Sequence, residues 1–308
     1  MSRKRKGILT SVVIAVIGVV GFLMTLSAGK GVEYCAHEGA AEGLPHETYL
    51  PSVPDSIYFC GERVPLERRD IYESLDREMI VNTFAHTNTS LILKRMTRYF
   101  PIIEPILKEE GVPDDFKFLS VAESNLYDIA RSPVDAIGLW QFLKSTAKEY
   151  GLVVNDEIDE RYHIEKSTRA ACKYFKKAYE EFGSWTMVAA SYNGGMRGAK
   201  NMMNMQHQSN YYDMIWVEET ARYVFRIISF KEILTHPERY GFNIKDTDRY
   251  MPWDIKTVEM DSTITDLAQW AIDNGTTYKR VKELNRWIRQ NKINNIHRKS
   301  YYISLPNE

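Results

Sequence analysis

Cysteine is scarce: the 308-residue chain has three, Cys35, Cys60 and Cys172. That is too few, and odd in number, for a disulfide scaffold. Cys35 and Cys60 could pair in an oxidising compartment, whereas Cys172, inside "TRAACKYF", reads as a small buried apolar residue. No CxxC or HExxH spacing occurs and the seven His are scattered, so no metal and no cofactor are expected. Neither sign of charge prevails, with 40 basic against 41 acidic residues, which argues against a nucleic-acid partner. Internal repeats and low-complexity runs are also missing.

Long hydrophobic runs are absent except for one. "SRKRKG" supplies four cations, and Ile8 to Ala28, "ILTSVVIAVIGVVGFLMTLSA", then continues for 21 residues without a charge, enough to cross a bilayer as a helix. The cations precede the span, which predicts a cytoplasmic N-terminus and an exported body. Residues 1–29 therefore read as a membrane anchor, with a cleaved signal peptide as the alternative. No cysteine stands in "LSAG" for lipidation.

Residues 30–80 are Pro-rich and irregular, which suits a linker ending in a segment packed on the next domain. Helical periodicity prevails over 81–245. "TNTSLILKRMTRYFPIIEPILKEEG" stops at Gly111, and "VPDDFKFLSVAESNL" restarts with Pro113 and two acids in its first turn. "KSTRAACKYFKKAYEEFG", "SWTMVAASYNGG" and "VEETARYVFRIISFKEIL" read as further helices. From 250 to 308 the pattern changes to strand, helix, Gly-containing turn, helix, strand. The expected fold class is mainly α with a small α+β C-terminal domain.

One acid stands out. Phe116, Leu119, Glu123 and Leu126 recur at spacings of three and four, placing Glu123 on an apolar helix face. Burial raises a carboxyl pKa, which suits a general acid; a buried Glu that only hydrogen-bonds its surroundings gives the same periodicity. Downstream, "SPVDAIGLWQF" has the composition of a loop leading into a helix, with a Gln amide that could face a polar ligand. "SYNGG" could equally be a plain helix C-cap. Thr220, Tyr223 and Val224 of "ETARYV" could be plain core.

Together and in this order, Glu123-Ser124, "GLWQF" (138–142), "SYNGG" (191–195) and "ETARYV" (219–224) resemble the four motifs of the family 1 lytic transglycosylases. The membrane-bound transglycosylase D branch fits best, over about residues 81 to 240. The resemblance implies a goose-type lysozyme-like catalytic domain at 81–245 that cuts the β-1,4 bond between MurNAc and GlcNAc without water, leaving 1,6-anhydroMurNAc ends. It implies Glu123 as the catalytic acid and then base, with Ser124 contacting the acid or the sugar. Gln141, Tyr192 and Asn193 would line the substrate cleft, and Tyr223 would orient the acid or the migrating proton. "DER", Asp159 to Arg161, is also typical of the branch and reads as structural.

Trp140, Ser191 and Asp135 depart from the usual Met, Ala and Gly. Asp135 is either a second carboxylate that would permit hydrolysis or a cap for the following helix. A hydrolytic muramidase on the same fold and an inactive peptidoglycan-binding scaffold are the rival functions. The C-terminal segment resembles a lysin-motif domain without its usual opening glycine-aspartate, so it either binds glycan or only packs. The expected partners are peptidoglycan glycan strands and, through the N-terminal helix, the cytoplasmic membrane. Cell-wall synthesis or inhibitor proteins stand as open candidates, and the expected location is the periplasmic side of the envelope.

Overall fold

The computed structural model describes residues 49–307. The expected span at 8–28 and the Cys35 half of the expected Cys35–Cys60 pair lie outside the described residues. Among the described residues no helix is long and apolar enough to cross a membrane.

The first element among the described residues is a tight hairpin, β1 (Tyr58–Phe59) and β2 (Glu62–Arg63). Cys60 and Gly61 form its turn with φ of 52° and 83°, the left-handed pair that matches the twist of a two-residue hairpin. Ile57, Phe59 and Val64 are buried in the main core. Helices α1 (Arg69–Phe84) and α2 (His86–Glu109) follow, then a short 3-10 turn at Asp114–Phe116 leads into α3 (Lys117–Ser124). A long loop reaches α4 (Lys144–Glu149), after which come α5 (Ile164–Phe182), α6 (Trp185–Gly194), α7 (Met196–Gln206) and α8 (Glu218–Thr235).

Of the expected linker and packing segment at 30–80, the part from Arg69 onward is helical rather than irregular. Arg69–Phe84 is helical, and its buried stripe of Ile71, Leu75 and Met79 packs along α8. A boundary at residue 80 would fall inside α1.

Helix α8 is buried on nearly every side, from Thr220 and Tyr223 through Phe225, Ile228 and Ile233, as expected of a helix at the centre of an assembly. Helices α1, α3 and α6 all lean on it, while α5 packs against α2 and α6. Alanines make the α5 contacts close: Ala170, Ala171 and Ala178 alternate with Tyr174 and Phe175 on its buried face. Phe116 and Phe175 meet with ring centroids 4.2 Å apart in the middle of this core.

The C-terminal domain has the expected element order. Strand β3 (Ile255–Met260) is followed by α9 (Leu267–Asp273), a turn at Gly275, α10 (Tyr278–Leu284) and β4 (Tyr301–Pro306). The strands pair antiparallel, Ile255 with Pro306 through Met260 with Tyr301. Its core of Leu267, Val281, Ile288, Ile293 and Ile303 is continuous with Ile137, Ile158 and Tyr162 from the larger domain.

Candidate active site

Glu123 is the penultimate residue of α3, whose Leu119 and Val121 are fully buried. The helix cannot continue, because Asn125 and Leu126 both take left-handed backbone, φ 52° and 53°, a conformation that is unfavourable for a branched residue. The stop leaves the Glu123 side chain against α8, where the Tyr223 hydroxyl donates to Oε1 in a short hydrogen bond.

Glu123 keeps some exposure as a residue, yet burial dominates its chemistry and pushes its pKa up to about 7. The Tyr223 hydrogen bond and the Arg226 charge pull the other way, and Glu219 adds to the rise. The group is reachable from solvent but poorly hydrated, so it carries a proton near neutral pH. Burial, and next the neighbouring Glu123 charge, push the Tyr223 phenol well above its usual range. It therefore stays a donor to the acid.

The loop after α3 supplies the facing wall. Ile137 pairs with Arg131 and with Phe142 in short bridges, and Gly138 N–H donates to Ala130 O at 2.9 Å. Gly138 has φ 80°, and a Cβ there would lie 2.2 Å from Arg161 O, so neither the conformation nor the space admits another residue. Asp135 and Gln141 also lie in the left-handed region, φ 62° and 47°; such residues cost on the order of 1–3 kcal/mol each and persist where the surroundings over-determine them.

The surroundings here centre on Arg161. Its Nε and Nη2 donate to the two oxygens of Asp159, and Nη1 donates to Asp135 O at 2.8 Å and Phe142 O at 3.2 Å.

Several expected site residues converge. Tyr192, on α6, donates its hydroxyl to Trp140 O at 2.7 Å and packs against Phe175 and Tyr174. Asn193 Oδ1 accepts from Thr220 Oγ1 at 2.8 Å, which fixes the amide between α6 and α8. Gln141 sits in the turn, but its Nε2 is occupied, donating to Gly138 O at 2.8 Å and Ala130 O at 3.3 Å. Only its carbonyl oxygen is left to meet a ligand.

Ser124 is not brought to the acid. It is buried, and its hydroxyl donates to Ser120 O at 3.0 Å within its own helix. Asp135 caps no helix; its carboxylate is held by Arg131 Nε at 2.7 Å and Arg161 Nη2 at 3.5 Å. Glu219, the other acid that acts on Glu123, is paired with Arg226 at 3.1 Å. Trp140 is wholly buried with its indole N–H on Thr168 Oγ1, a packing position.

Sequence reasoning understated two supports and missed a third. Thr220 looks like core by its spacing, Arg161, read only as structural within DER, gives no hint of its reach across 26 residues to Asp135, and Glu62 is a long-range cap. Both Glu62 carboxylate oxygens accept from the α6 N-terminus, Oε1 from Trp185 N–H and Oε2 from Thr186 N–H, Ser184 Oγ and Thr186 Oγ1. An acid at a helix N-terminus is favourable, but a contact over more than 120 residues leaves no local signal.

Two stretches of the chain match known families. Residues 100–215 match the family described as Transglycosylase SLT domain, and residues 256–308 match the Soluble lytic transglycosylase C-terminal LysM-like domain. These two stretches of the chain are thus similar to an SLT domain and to a LysM-like domain, the first of them mainly helical.

Among particular relatives, it is 24% identical over 271 residues to membrane-bound lytic murein transglycosylase D of Escherichia coli (strain K12), covering 85% of this chain and 58% of that protein. It is 26% identical over 118 residues to a putative tributyltin chloride resistance protein of Alteromonas sp. (strain M-1), covering 38% and 57%. The chain thus spans a little over half the length of these curated relatives. An inactive mutant of lytic transglycosylase Slt from Pseudomonas aeruginosa is 19% identical, with a TM-score of 0.38 over 49% of this chain and 26% of that one, a likeness too low to carry weight.

Proposed function

We propose that this chain is a peptidoglycan lytic transglycosylase that cleaves the β-1,4 bond between MurNAc and GlcNAc and leaves a 1,6-anhydroMurNAc end. The observation that carries the reading is a Glu123 carboxyl desolvated by burial and hydrogen-bonded to Tyr223, while the acids Glu219 and Asp135 are paired with arginines. A glycosidase that uses water needs a second free carboxylate as base or nucleophile. With one proton-bearing acid, the second group must come from the substrate.

In this scheme Glu123 gives its proton to the glycosidic oxygen as the C1–O bond breaks, and the N-acetyl carbonyl oxygen of MurNAc closes onto C1. Glu123, now a carboxylate, takes the proton of the 6-hydroxyl. O6 then bonds to C1 and the acetamido oxygen leaves, so the enzyme ends protonated as it began. Tyr223 orients the acid and steadies its charge between the two steps. In this reading Asn193, with its Oδ1 held by Thr220, and the free carbonyl oxygen of Gln141 contact sugar hydroxyl and amide groups, and Tyr192 shapes the cleft floor. Ser124 supports the helix end. Asp135 is assigned to loop structure.

We assign the catalytic unit to residues 81–245, extended by α1 and the hairpin before it, on the goose-type variant of the lysozyme-like fold, and the LysM-like unit to 250–308. Residues 8–28 are proposed as an anchor in the cytoplasmic membrane that holds the enzyme on the periplasmic face of the envelope against the peptidoglycan. Incubating purified sacculi with the chain should release soluble muropeptides, and Glu123→Gln should release none. Equal release by both would remove Glu123 from the chemistry, and release by neither would favour a wall-binding scaffold.

A further inference from the structure

The short segment Glu157–Arg161 faces two ways. On one side it is stitched to the C-terminal domain. Asp159 N–H donates to Trp287 O at 2.9 Å, Arg289 N–H donates to Glu157 O at 2.7 Å, and the Glu157 carboxylate accepts from Asn294 N at 2.8 Å and Nδ2 at 2.7 Å. Ile158 bridges Ile288, and the Arg289 guanidinium lies 4.3 Å from the Tyr162 ring centroid.

On the other side the segment holds the active-site loop. The Asp159 carboxylate clasps Arg161, only 3% of whose side chain is exposed. The far end of Arg161 grips the Asp135 and Phe142 carbonyls that bracket Gly138, Trp140 and Gln141. Ile137, next to Gly138, is itself part of the C-terminal domain's hydrophobic cluster.

The aromatic residues of the C-terminal domain point the same way. Trp287 is sandwiched between His163 and Tyr301, at 5.8 and 5.7 Å. Trp253, just ahead of β3, lies between Arg98 and Arg280, at 4.6 and 4.9 Å. Each ring therefore makes one contact across the seam, Trp287 with His163 and Trp253 with Arg98.

We infer that the C-terminal domain braces the active-site loop, acting through Asp159 and Arg161, and that Arg161 is a positioning residue for Gln141 and for the Trp140 carbonyl that receives Tyr192. The loop needs such a brace because Asp135, Gly138 and Gln141 all hold left-handed backbone within seven residues, and a strained loop relaxes when its anchors go. A lysine at 161 keeps the charge but cannot reach a carboxylate and two carbonyls at once. The catalytic consequence rests on the transglycosylase reading; the structural brace does not.

The test compares the full chain with Arg161→Lys and with Glu157→Ala, a variant at the exposed seam that leaves both cores intact. Hydrogen exchange is followed over residues 131–143, and turnover is measured on a short soluble glycan as well as on sacculi. The brace predicts faster exchange in 131–143 for both variants, with α5 and α8 unchanged. It also predicts kcat/KM on the soluble glycan lower by roughly tenfold to a hundredfold for Arg161→Lys, carried mainly by kcat, and lower to a smaller degree for Glu157→Ala.

Unchanged loop exchange and unchanged turnover of soluble glycan in both variants would overturn the inference, with a deficit confined to sacculi marking the domain as a wall binder alone. If the unaltered chain cleaves neither substrate, the transglycosylase reading falls and loop exchange alone decides the brace.

Discussion

Replacing Glu123 with Gln should make the protein more stable at alkaline pH while abolishing its activity. Burial raises the Glu123 carboxyl from 4.5 to about 7, so between those values the folded state holds a proton that the unfolded chain has released. Folding stability attributable to this group therefore declines as pH rises through that window, and above about pH 7 the full penalty is present. A difference of about 2.5 units corresponds to roughly 3 kcal/mol. Glutamine is neutral at all pH and can still accept the Tyr223 hydrogen bond through its amide oxygen, so the substitution removes the charge and little else.

Urea denaturation of both proteins should show Glu123→Gln more stable by about 3 kcal/mol near pH 8, with the gap closing to within a few tenths near pH 4. Other carboxylates titrate alike in the two proteins and cancel in the difference. A gap that is the same at both pH values, or absent at both, would refute a desolvated Glu123.

The same acid governs the rate: kcat/KM should fall as pH rises through about 7, because only the protonated form starts the reaction. Tyr223→Phe removes a donor that favours the ionised acid; its basic limb should move to higher pH and its rate should drop by about tenfold or more. Gly138→Ala meets both a positive φ and a 2.2 Å approach to Arg161 O, so thermal unfolding should report a loss of about 3 kcal/mol or more. Glu62→Ala strips four hydrogen bonds from the α6 N-terminus and should lower stability by about 2 kcal/mol. A Tm unchanged for either variant would contradict the corresponding contact.

Legibility in the sequence tracks the range of the interactions. The α5 and α8 helices are readable because their burial repeats every three or four residues, and the C-terminal order of strand, helix, helix, strand is readable from its change of period. Helix α1 is hidden by the prolines before it, although Ile71, Leu75 and Met79 carry the period. That Glu123 and Tyr223 meet across 100 residues follows from no spacing; only the ordered set of four motifs suggests it. Ser124 and Gln141 show the limit of such a set. Motif position puts them near the acid, but the helix end turns the serine hydroxyl onto Ser120 O and the loop consumes the Gln141 amide nitrogen. The grip of Arg161 and the cap of Glu62 depend on where separate elements dock, which periodicity does not encode.

The most direct test of the single-carboxylate scheme is mass spectrometry of the muropeptides the chain releases from purified sacculi, with Glu123→Gln alongside. The scheme predicts fragments one water lighter than hydrolysis products, ending in 1,6-anhydroMurNAc, and none from the variant. Fragments with free reducing ends would contradict it and mean that a water and a second base take part.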